Sequence, residues 1–98
     1  GLVRAYEELG RVDEAIRVVL QLVDRVPDDP RLTATVRRLY TAAGRLYDLA
    51  KNLEREGHDN EEPALLVEAA RSYLASPDGL DDARRCAEAA WRAGYRQA

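Results

Sequence analysis

Three arginines, Arg4, Arg38 and Arg71, each stand two residues before a tyrosine, namely Tyr6, Tyr40 and Tyr73. A guanidinium is a planar, permanently charged fork that matches a carboxylate through two parallel hydrogen bonds, so such a set suits an acidic peptide or a terminal carboxylate. An ordinary explanation stands beside this one. Arg4 has Glu7 and Glu8 three and four residues on, and Arg71 has Glu68 three residues back. Pairs of that kind decorate a solvated helix at about 0.2–0.5 kcal/mol each. Arg38 has no acidic neighbour at helical spacing, which makes it the strongest candidate of the three.

Other reactive side chains are few. Cys86 is the single cysteine and His58 the single histidine, with no spacing that joins them and no third residue to orient a base. Cys86 falls between Ala83 and Ala87, where a structural thiol is expected, and His58 between Gly57 and Asp59, where a solvated loop is expected. The acidic run at 59–62 is explained by helix-start charge rather than by metal ligation. The 98 residues therefore predict no enzyme, no catalytic residue, no metal and no cofactor.

Composition narrows the class further. At 98 residues, 46% hydrophobic and 34% charged, the chain is expected to fold, as one domain at most. A net charge of -3 argues against nucleic acid, whose phosphates call for a clustered cationic surface. No apolar run approaches the roughly 20 residues a membrane helix needs. One cysteine rules out an internal disulfide and suits a reducing, cytoplasmic setting. Gly1 at the start and the absence of methionine point to a segment of a longer protein.

Apolar spacing of three and four residues predicts six helices that position these side chains. The first ends at Gly10. The second covers 12–26, with Asp13 and Glu14 in its first turn, and Pro27 and Pro30 separate it from the third, over 30–43, which Gly44 stops. The fourth covers 45–56, closed by Gly57, and a polar loop follows at 57–62. Asn60 is the expected N-cap of the fifth helix, which starts at Pro63 and runs to about Ala75. A turn at 76–79 leads to the sixth, over 80–93, stopped by Gly94.

The helices repeat. Tyr6, Gly10, Ala15 and Val19 are followed 34 positions later by Tyr40, Gly44, Leu49 and Leu53, and Pro30, Leu32 and Tyr40 return after 33 as Pro63, Leu65 and Tyr73. A period of this length predicts stacked helical hairpins, an architecture that usually binds other proteins. These positions resemble the tetratricopeptide repeat family, with units at 1–29, 30–62 and 63–94. The first unit matches best, through Tyr6, Gly10, Ala15, Val19 and Pro27; the second has Leu49 where a small alanine is usual. The pentatricopeptide family, whose target is RNA, has a similar period, but the net charge and the prolines near unit boundaries favour the tetratricopeptide reading.

The resemblance implies an all-α fold of three antiparallel hairpins in a short right-handed superhelix, whose first helices line a concave groove. On that reading Arg4, Arg38 and Arg71 form a ladder along the groove, with Arg31, Thr35 and Thr41 completing a polar surface, and the partner is a protein or an acidic peptide segment. The chaperone-tail clamp of some family members is absent, since Arg4 and Thr35 occupy its asparagine positions and Ala64 and Glu68 its basic ones. Trp91 and Tyr95 close the last hairpin as a possible end interface, because array ends without polar caps need cover. Self-association through the end hairpins is one alternative function. An accessory domain of an enzyme with its active site elsewhere is another.

Overall fold

A computed structural model describes residues 1–96, which form six α-helices and, among the described residues, no strand. They are α1 (Leu2–Glu8), α2 (Val12–Arg25), α3 (Pro30–Ala42), α4 (Leu46–Asp59), α5 (Pro63–Leu74) and α6 (Leu80–Arg92). The chain divides into two compact units, Gly1–Arg45 and a second that begins at Leu46. In each, the middle helix packs on both of its neighbours: α2 on α1 and α3, α5 on α4 and α6. No described helix is long and apolar enough to cross a membrane.

The helix ends follow from local chemistry. Gly44 takes φ 70, and behind it the Arg45 amide donates to Tyr40 O at 2.9 Å and the Gly44 amide to Thr41 O at 3.1 Å. This is the left-handed closure that satisfies the last carbonyls of α3 at little steric cost. At the start of α3 the Asp29 carboxylate accepts from the Arg31 amide at 2.9 Å, with Pro30 supplying the first helical residue.

The end of α4 differs from the sequence expectation. Gly57 does not stop the helix but lies buried inside it, and a Cβ there would stand 2.7 Å from Leu66 Cδ2 and 3.2 Å from the Leu66 nitrogen. The missing side chain is a condition of close approach between α4 and α5, so α4 continues to Asp59. Asn60 is likewise no N-cap, since its amide donates to Glu56 O at 2.9 Å and so finishes α4. The left-handed residue is Glu61, φ 53, and Glu62 precedes α5 without a side-chain capping bond. His58 consequently sits in the last turn of a helix rather than in a loop.

The two cores are unequal. In the first unit Ala15, Ile16 and Val19 of α2 and Val36, Leu39 and Tyr40 of α3 are buried, whereas α1 has no fully buried residue, with Leu2 on it and Leu9 just beyond it exposed. In the second, all three helices contribute to one cluster of Ala50, Leu53, Ala69, Ala70, Tyr73, Ala83 and Cys86, with Leu49 and Leu65 against it. Alanines on all three helices allow the axes to come close, and the Tyr73 ring fills the space between them, meeting Tyr47 edge-on at 5.3 Å.

Candidate functional site

The groove of the first unit lies between α1 and α3, because both helices pack on α2 and leave its upper surface uncovered. It encloses about 710 Å³. Val19 and Leu22 of α2 form the floor with Val3 of α1 and Leu32 of α3. Arg4, Glu7 and Glu8 stand along the α1 wall, and Thr35 and Arg38 along the α3 wall. An aliphatic floor with charged walls can bury an apolar side chain while its polar flanks are bound at the rim.

Arg38 is not unpartnered. Its Nη1 and Nη2 donate to the two carboxylate oxygens of Glu7 at 2.5 and 3.0 Å, a fork-to-fork pair reaching from α3 to α1. Those hydrogen bonds hold the Glu7 carboxyl below its ordinary range and push the guanidinium up. Arg4 is more loosely engaged: its Nε lies 3.9 Å from Glu8, and both side chains are largely in solvent. Thr35 also lines the groove, and its hydroxyl donates to Arg31 O of its own helix at 2.8 Å.

The remaining candidates lie elsewhere. Arg31 sits over the start of α3, its Nε 3.5 Å from Asp29, and Thr41 donates to Arg37 O; neither lines the groove. Arg71 is exposed on α5 in the second unit. Trp91 is 60% exposed, with the Arg96 guanidinium 3.5 Å from its ring centroid. The same guanidinium donates to Trp91 O and Tyr95 O, capping the end of α6, and the half-buried Tyr95 donates its amide to Ala90 O.

A second polar cluster occupies the second unit, and sequence reasoning missed it. Glu54 of α4 accepts from Arg85 Nε and Nη2, each at 2.8 Å, and from the Tyr73 hydroxyl at 2.8 Å. Arg85 also donates to Asp82 at 2.7 Å. The Arg85 bonds lead in lowering the Glu54 carboxyl to about 2, helped by Tyr73 and the Cys86 thiol. Burial, with the Glu54 charge adding to it, pushes Cys86 up to about 12 and raises Tyr73. A thiol so placed is a poor nucleophile, and the arrangement ties three helices together. The described residues contain no group of three or more side chains placed to hold a metal ion.

Glu7, which its spacing makes a same-helix neighbour of Arg4, instead pairs across helices with Arg38. One signal was present: Glu7 and Arg38 are 31 residues apart, and so are Glu54 and Arg85. No family model matches this chain, and neither does any curated protein or solved structure.

Proposed function

We propose that the chain is a non-catalytic scaffold of tetratricopeptide-like hairpins that binds a protein segment bearing aliphatic and acidic side chains. The observation that carries this reading is the groove of about 710 Å³ between α1 and α3, with Val19, Leu22 and Leu32 below and Arg4 and Arg38 on opposite walls. The 34-residue recurrence from Gly10 to Gly44, each in a left-handed closure at φ 75 and 70, supports the repeat architecture. An apolar anchor supplies affinity in such a groove, and the guanidinium groups select the acidic flank.

The test is fluorescence anisotropy with a labelled octapeptide of alternating leucine and glutamate, against its leucine–glutamine counterpart. The glutamate peptide should bind more tightly, the preference should shrink as salt rises, and Arg38→Glu should weaken it by about tenfold. Equal binding of both peptides, or none of either, would refute the reading. A second reading, self-association, is favoured by one observation, the 60–61% exposure of Leu74, Leu80 and Trp91. Sedimentation across a hundredfold concentration range decides it, and a strict monomer removes it.

A further inference from the structure

We propose that the Glu7 carboxylate is a built-in competitor at the groove: it occupies the Arg38 guanidinium until an incoming carboxylate displaces it, whereupon Glu7 turns to Arg4. This rests on the groove reading above and adds how the site is regulated. The receptor fork is already arranged for a carboxylate, since Glu7 makes both parallel bonds to it, and Arg38 remains 57% exposed in side chain, so the fork is open to a rival.

The displaced carboxylate has somewhere to go. Arg4 precedes Glu7 by three residues on α1, its charge already acts on Glu7, and its present contact with Glu8 is long at 3.9 Å. An exchange in which the ligand takes Arg38 and Glu7 takes Arg4 keeps both the ligand and Glu7 paired and gives up only the long, solvent-exposed contact of Arg4 with Glu8, which avoids the cost of stranding an anion beside the bound ligand. The second unit supplies the contrast that makes Glu7 displaceable. Glu54 holds an arginine at the same sequence spacing but is also fastened by Tyr73 of the middle helix and by Cys86. In the first unit the middle helix offers only Val19 and Leu22 to the groove, neither of which can hold a carboxylate.

Removing the competitor should strengthen binding. Anisotropy titrations of the leucine–glutamate octapeptide should show Glu7→Gln binding about two- to fivefold tighter than wild type, the range that an exposed ion pair is worth. The gain should be absent for the leucine–glutamine peptide and absent when Arg38→Gln is combined with Glu7→Gln. Far-UV circular dichroism reports whether α1 survives, and Glu7→Asp, which keeps the charge but shortens its reach, provides a second variant expected to tighten binding. Unchanged or weaker binding in both variants overturns the competitor and leaves the groove reading standing if wild type prefers the glutamate peptide. If wild type binds neither peptide, both fall together.

Discussion

Two glutamate–arginine pairs, each spanning 31 residues and each linking the outer helices of its unit, face different surroundings. Glu7 with Arg38 borders an open groove, whereas Glu54 with Arg85, an arginine nearly as exposed as Arg38, is also held by the Tyr73 hydroxyl and the Cys86 thiol. The difference traces to the middle helix. At the level of the pair α2 offers aliphatic carbons, and α5 offers a phenol whose hydroxyl reaches the carboxylate. One ion pair is thereby exchangeable and the other structural, although the bonds of the two are alike.

The contrast is most exposed to failure through Arg85→Ala, which leaves Glu54 half-paired in a partly buried position. It should cost about 2–3 kcal/mol in urea denaturation, while Arg38→Ala should stay within the scatter of ordinary surface substitutions. Equal losses would erase the distinction. Acid gives the next largest effect. Glu54 is lowered from 4.5 to about 2, so its stabilisation is complete above pH 4.5 and drains away as pH falls toward 2. After solvent screening the loss is about 1–2 kcal/mol, and Glu54→Gln should flatten that part of the stability profile. The smallest effect belongs to Tyr73→Phe, which removes one hydrogen bond and keeps the ring. A loss of about 1 kcal/mol is expected, with the Glu54 titration moving upward when followed by carbon-13 NMR. An unmoved titration would show that the phenol does not fasten the carboxylate.

The helices were legible because apolar residues at spacings of three and four, broken by Pro27, Pro30, Gly10, Gly44 and Gly94, are local signals that tertiary packing here does not override. Gly57 was misleading for a physical reason. Glycine marks a helix end when the backbone must turn left-handed and a helix interior when another backbone comes near, and only Leu66 in place distinguishes them. The candidate site was legible in two of its cations, Arg4 and Arg38, but Arg31 and Arg71 do not line it and its anion was not foreseen there. Arg4, Thr35 and Arg38 were drawn from the repeat and do line one groove, but Glu7 reaches Arg38 across helices, outside any i to i+4 search. The Glu54 cluster draws on α4, α5 and α6 at once, so no single helix pattern announces it.

The placement of Trp91 sets what fluorescence can report. It is the only tryptophan, already 60% in water and lying beneath the Arg96 guanidinium that caps α6. Its emission starts close to that of a solvated indole, so unfolding of either core changes it little. What it registers is the opening of the last turn, and a denaturation curve read from tryptophan emission would precede one read from the helices.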